Sequence, residues 1–168
     1  NAGDDILEGG AGADRLFGGE GNDTYRVSGR DDLIGDHIDD ISGVQDKIEY
    51  VGDQNLRLNS FNANNGIDII DANGRAITGD GNNNHLNFSD VTFADDNQVI
   101  NLGSGDDHVE GGSGSEHLIG GHGNDTLGGN AGDDILEGGA GADRLFGGEG
   151  NDTYRISGRD DLIGDHID

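Results

Sequence analysis

Ten carboxylates in this chain keep a spacing that a random acidic tract would not. Asp107, Glu116, Asp125, Asp134, Asp143 and Asp152 follow one another every nine residues, and Asp5, Asp14, Asp23 and Asp32 do the same near the start. Most of them close a glycine-rich run: G-G-S-G-S-E at 111–116, G-G-H-G-N-D at 120–125, G-G-A-G-A-D at 138–143 and G-G-E-G-N-D at 147–152. Glycines admit positive φ, so a turn can close and aim several carbonyl oxygens at one point, where the carboxylate adds charge. A hard divalent cation takes six to eight such oxygens at roughly 2.3–2.6 Å in a flexible cage, which suits Ca²⁺ better than the strict octahedron of Mg²⁺. The chemistry these residues point to is cation binding, repeated along the chain.

Short strands must hold those corners in place. After each acidic residue comes a large apolar one flanked by two variable residues: Val109, Leu118, Leu127, Leu136, Leu145 and Tyr154, with Leu7, Leu16 and Tyr25 in the first block and Ile34 following Asp32. The middle side chain of such a three-residue strand can point inward, and two nine-residue units complete an eighteen-residue turn. Six units run without a gap from Gly103 to Arg155.

These units resemble the nonapeptide G-G-x-G-x-D-x-U-x of the RTX (repeats-in-toxin, haemolysin-type) calcium-binding family. The resemblance implies an all-β fold, a right-handed parallel β-roll or β-helix solenoid with several Ca²⁺ ions in the turns of each repeat, each ion between loops eighteen residues apart. Carried onto this sequence, Asp107, Asp125 and Asp143 form one column and Glu116, Asp134 and Asp152 the opposite one. Asp5 is followed by Asp23, and Asp14 by Asp32. The apolar ladders are then Val109, Leu127 and Leu145 on one side and Leu118, Leu136 and Tyr154 on the other. Glu116 departs from the motif, and its longer side chain displaces the carboxylate. Asn130 replaces a glycine but tolerates left-handed backbone better than most residues.

A second period lies above the first. Residues 1–39 recur as 130–168, with Val27 against Ile156 the one difference, so the chain holds one 129-residue unit and the start of another. The expected organisation is the end of one roll at 1–34, irregular connecting turns of a β-solenoid at 35–101, a nonapeptide roll at 102–155, and the start of the next connecting segment at 156–168. Over residues 24–51, where the nine-residue rhythm fades, the expected strands are 25–27, 32–34 and 47–51. Residues 52–102 carry paired or alternating apolar positions between Asn/Asp/Gly clusters. They read as wider solenoid turns, with a small β-sandwich insertion or a flexible spacer as alternatives.

Composition excludes much else. Among 168 residues there are 34 Gly, no Pro, Cys, Met or Trp, and a net charge of −26 at pH 7. Zero Cys removes disulfides and thiolate metal sites, and no apolar run is long enough for a membrane span. The acidity opposes nucleic acid and anionic membrane as partners. The absence of an initiating Met or a signal segment suggests a piece cut from something longer. Low hydrophobicity with high net charge would also fit a disordered tail, were it not for the two periods.

The remaining candidates for chemistry are weak. His37, His85, His108, His117, His122 and His166 read as solvated turn residues rather than a transition-metal site. Ser, His and Asp occur without a nucleophile signature, and paired carboxylates such as Asp31 with Asp32 or Asp95 with Asp96 lack an apolar cleft. Asp39 and Asp40 are either extra calcium ligands or solvated turn charges. The expected function is therefore not enzymatic: a calcium-rigidified structural repeat of a giant extracellular fibre, adhesin stalk or surface sheath, exported by a bacterial-type route. The alternative is a calcium-dependent folding and secretion module of an exported enzyme or toxin. Direct recognition of ice or a similar surface would need a flat Thr ladder, whereas the third unit position reads Ser104, Ser113, His122, Ala131, Ala140 and Glu149. Expected partners are adjacent copies of the repeat, with lateral self-association between acidic faces through bridging ions.

Overall fold

A computed structural model describes residues 2–31, 33–38, 45–62, 66–156 and 166–167. Among them there is no helix, and nineteen short strands wind as a β-solenoid of about seven turns in which every pairing is parallel. In chain order the strands are β1 Ile6–Leu7, β2 Arg15–Leu16, β3 Thr24–Val27, β4 His37–Ile38, β5 Lys47–Tyr50, β6 Leu56–Arg57, β7 Ser60–Asn62, β8 Ile69–Asp71, β9 Ile77–Thr78 and β10 His85–Asn87. They continue as β11 Thr92–Phe93, β12 Gln98–Ser104, β13 His108–Glu110, β14 Glu116–His122, β15 Thr126–Ala131, β16 Ile135–Ala140, β17 Arg144–Glu149, β18 Thr153–Tyr154 and β19 His166–Ile167. Parallel strands cannot be joined by tight hairpins, so each pairing is made one full coil later.

Two kinds of coil alternate. In the nonapeptide block the coils are narrow: Leu118 faces Leu136 and Leu127 faces Leu145, eighteen residues on in each case. Both ladders expected from the nine-residue period are present, Val109–Leu127–Leu145 and Leu118–Leu136–Tyr154. The coils of residues 45–110 are wider. Ile48 pairs with Ile70 after 22 residues, Ile70 with Phe93 after 23, and Phe61 with Leu86 after 25. The extra residues give each of these coils a third side, so successive coils add one strand to each of three sheets: β5, β8, β11; β6, β9, β12; and β7, β10, β13. The segment 52–102 is thus a solenoid of wide turns.

A broader cross-section needs more to fill it. Three of the five phenylalanines serve that purpose: Phe61 stacks on Phe88 at 5.0 Å between centroids, and Phe93 meets Phe88 edge-on at 5.2 Å. Ile48, Leu56, Ile70, Ile77 and Leu86 are fully buried around them. Tyr25 is also fully buried; the Gly18 N–H donates to its hydroxyl at 2.9 Å, and the Gly147 N–H does the same to Tyr154 in the second copy.

The expected strand at 32–34 is not there. Residues 33–35 form a turn closed by the Ile34 N–H on the Asp31 carbonyl and by positive φ at Gly35, and the strand is β4, four residues later. Both D-x-U triplets, at 32–34 and 36–38, satisfy the local pattern. The second is selected because the corner carries four more residues than a nonapeptide, which leaves Ile38 paired with Leu16. A cleft of about 560 Å³ separates β4 from β7 and is lined in part by Leu33, Ile38, Ile48, Leu58 and Phe61.

Candidate metal centres in the carboxylate columns

At the narrow corners each acidic side chain leans onto the coil before it. The Asp107 N–H donates to Asp125 Oδ1 at 2.8 Å, and the Asp125 N–H donates to Asp143 Oδ1 at 2.8 Å. Across the roll, the Glu116 N–H donates to Asp134 Oδ1 at 2.7 Å and the Asp134 N–H to Asp152 Oδ1 at 3.0 Å. In the first block the Asp5 N–H donates to Asp23 Oδ1 at 2.7 Å. All these columns run as the nine-residue spacing implies.

The sequence period missed several members. Asp23 is followed by Asp46 and Asp46 by Asp68, through N–H donors at 2.7 and 2.9 Å, so this column continues into the wide coils at intervals of 23 and 22 residues. Asp36 also joins a column, its Oδ1 accepting the Asp14 N–H at 2.8 Å. Asp32, Asp39 and Asp40 lie outside the described residues. A spacing-free signal would have found the missed residues, since D-x-U recurs at 36–38, 46–48 and 68–70.

Asp23, Asp107, Asp125 and Asp134 each accept a main-chain N–H of the preceding coil on Oδ1. The Oδ2 atoms of Asp14, Asp23, Asp107, Asp125 and Asp134 are buried and accept no hydrogen bond. A buried, unsatisfied charged oxygen is costly, so these atoms call for a cation. Further oxygens converge with them. A Cβ added to Gly120 would strike Asp125 Oδ2 and lie 2.7 Å from the Gly138 carbonyl oxygen, and one on Gly129 would meet Asp134 Oδ2 and, at 2.5 Å, the Gly147 carbonyl. At both of these units the first glycine leaves room for carboxylate and carbonyl together. Among the described residues no three His, Cys, Asp or Glu side chains group as a metal cluster. Any site here is built from paired carboxylates and main-chain carbonyls, an all-oxygen donor set that fits Ca²⁺.

Glu116 behaves differently. Its Oε2 accepts the Gly112 N–H of its own corner at 2.9 Å, so the longer side chain turns back and satisfies an oxygen that an Asp leaves open. Its predecessor, Gln98, is buried and neutral, with its side-chain amide donating to the Arg75 and Val99 carbonyls. The histidines are rungs on the outer faces rather than free turn residues. His85 stacks on His108 at 4.7 Å, His108 lies 3.3 Å from Glu110, and His117 lies 3.1 Å from Glu137.

Burial sets the acidity of the columns. It pushes Asp125 and Asp134 up to about 6 and Glu116 to about 8, outweighing the N–H donors that favour the charged form, while neighbouring carboxylates add to the rise. The folded, metal-free chain therefore holds protons that the unfolded chain has already released. Its stability falls as pH rises from the ordinary carboxylate range through about 6, and through about 8 for Glu116. In chelator, strand content and any thermal transition it supports should increase when the buffer is taken from about pH 8 to about pH 5; with excess Ca²⁺ the thermal midpoint should instead fall over the same change, because protons then compete with the ion. Melting curves at both ends of the range, with and without metal, check the sign.

The model of the RTX calcium-binding nonapeptide repeat (4 copies) matches residues 1–34, 94–127 and 119–154, together more than half of the chain. Neither the curated proteins nor the solved structures gave a match. The matched stretches hold the narrow corners, and the wide coils between them carry the same ladder of carboxylates without the glycines that define the motif. On its matched residues, the chain belongs to the RTX calcium-binding nonapeptide repeat family.

Proposed function

We infer that this chain is a passive, calcium-rigidified structural repeat, one segment of an extracellular fibre, adhesin stalk or sheath, and not a catalyst. The observation that carries the reading is how the recurring stretch is seated: the strands of residues 130–168, which repeat residues 1–39, pair directly on the coil before them. The second copy also repeats the pairings of the first: Ile6 with Thr24 reappears as Ile135 with Thr153, and Arg15 with His37 as Arg144 with His166. Among the described residues, the recurring stretch thus continues the solenoid of the residues before it. In an array, each copy's partners are the copies above and below it, and exposed carboxylates on neighbouring fibres can share bridging ions. Secretion fits the ion requirement, since extracellular modules bind calcium in the 10⁻⁴ to 10⁻³ M range and the chain would fold only after export.

A tandem array should lengthen linearly. About six coils separate Leu16 from its repeat equivalent Leu145, which at a strand spacing of ~4.8 Å gives ~29 Å per repeat. Small-angle scattering from proteins of one, two and four tandem repeats in Ca²⁺ should show rods of constant cross-section growing by that increment. Independent beads with a flexible-chain length dependence would refute the reading.

A further inference from the structure

We propose that the wide coils, residues 45–62 and 66–102, stay folded without calcium and serve in each repeat as a seed on which the ion-dependent narrow coils assemble. The proposal deepens the structural-repeat reading and rests on it only for its consequence in an array. Two differences between the coil types carry it, one of packing and one of charge. The wide coils hold a core of their own: Ile70 sits on Ile48, Leu86 on Phe61, and Ile77 between Leu56 and Ile100, with Phe88 stacked against Phe61 and Phe93. From residue 103 to 156 the buried apolar side chains are Val109, Leu118, Leu127, Leu136 and Leu145, with no aromatic among them. Aromatic rings bury roughly 150–250 Å² each, so the wide coils gain most of the apolar burial.

Where a narrow coil places a carboxylate, the last wide coil places a neutral residue on all three of its sides. Val91 precedes Thr92 as Asp68 precedes its partner Ile69, Asn84 precedes His85 as Asp107 precedes His108, and Gln98 pairs with Glu116. All three are buried. The two amides find protein partners: Gln98 Nε2 donates to the Arg75 and Val99 carbonyls at 2.9 Å, and Asn84 Nδ2 donates to Asp80 Oδ1 at 2.8 Å. Among the described residues from 24 to 106, no carboxylate oxygen is buried without a hydrogen bond, whereas Asp14, Asp23, Asp107, Asp125 and Asp134 each have one. On the outer face Lys47 stands 3.5 Å from Glu49 and 3.8 Å from Asp71. Removing calcium therefore leaves no buried charge unanswered in these coils. Both ends of the block meet a roll. On one side His108–Glu110 pair with His85–Asn87 and the Asn84 N–H donates to Asp107 Oδ1 at 2.7 Å; on the other, Thr24–Val27 pair with Lys47–Tyr50 and the Asp23 N–H donates to Asp46 Oδ1 at 2.7 Å. A preformed strand edge spares the narrow coils the cost of starting a non-local pairing. In an array each repeat would carry its own seed, so folding would start in all repeats at once, and calcium withdrawal would turn a rod into folded blocks joined by loose rolls.

The test is hydrogen exchange, read by mass spectrometry, on the full 168-residue chain in excess chelator. Amides bonded within the wide coils, Leu58 to Thr78, Ile69 to Asp46 and Ala94 to Ile70, should stay protected. Thr126, Arg144 and Thr153, which bond between narrow coils, should exchange as in an unfolded chain. Saturating Ca²⁺ should protect both sets. Phe88→Ala should abolish the protection left in chelator and move the calcium midpoint of folding upward, because the ion must then order the seed as well, whereas Leu127→Ala should leave that protection unchanged. Wide-coil amides that exchange as fast as the narrow-coil ones in chelator overturn the proposal, and so does wild-type protection retained in Phe88→Ala. Either result would leave the structural-repeat reading standing, since that reading fails on the scattering lengths instead.

Discussion

Stripped of calcium at neutral pH, the chain should lose the β-structure of its narrow coils. Each of those coils buries only two large apolar side chains, one from each ladder, and against them stand buried carboxylates, of which Asp107, Asp125 and Asp134 have a second oxygen with no protein donor. Ordering the backbone costs roughly 1–2 kcal/mol per residue, and so lean an interior cannot outweigh that and the carboxylate repulsion together. Ion binding confined to the folded state adds about 2.7 kcal/mol per site at a hundredfold excess over Kd, and sites stacked in one column fill together. Far-UV circular dichroism in excess chelator should show a large loss of strand signal, regained steeply as Ca²⁺ is added. Hydrogen exchange should show the amides of Asp107, Asp125 and Asp134 losing protection, since each donates to a carboxylate of the next coil. A spectrum unchanged by chelator would sink the calcium-dependent fold.

The second large effect comes from a methyl group. Gly123 has φ of +132°, and a Cβ there would lie 2.6 Å from the Gly105 carbonyl carbon and closer still to its oxygen. Gly103 also has positive φ, +98°, yet a Cβ on it would meet nothing within 4 Å. Gly103→Ala should therefore cost only the conformational penalty, about 1–2 kcal/mol. Gly123→Ala adds collision with rigid backbone of the neighbouring coil, about 1–3 kcal/mol more, for a total of about 2–5 kcal/mol. Urea unfolding of both variants in saturating Ca²⁺ gives the difference directly. Equal losses would show that the coils do not pack through their glycines.

That contrast also explains what was legible in the sequence. Where coils stack tightly around paired carboxylates, sterics and electrostatics restrict each position to one or two residue types, and the pattern surfaces as a nine-residue period. Val109, Leu127 and Leu145, and the column from Glu116 through Asp134 to Asp152, could be placed from spacing alone. Where an aromatic core holds the coil, the corners are free to vary in length, and the count fails. Asp36 escaped the count for that reason, because four added residues in the corner carry its D-x-U triplet to an interval of 22 while Leu16 and Ile38 stay paired. Asp46 and Asp68 were hidden by intervals of 23 and 22 residues.

The cleft between β4 and β7 bears on how a long array would respond to load. At that level the sheet containing β7 and the sheet containing β6 both start afresh, and β4 is the last described strand of its own sheet. Among the described residues, the sheet through β3 and β5 crosses the gap, helped by a main-chain bond from the Arg57 N–H to the Arg30 carbonyl. Everywhere along the nonapeptide block two sheets run unbroken. In an array of such units this plane would recur once every 129 residues, and bending is expected to gather there rather than in the nonapeptide roll, an expectation that images of tandem repeats would check through the spacing of kinks along the rod.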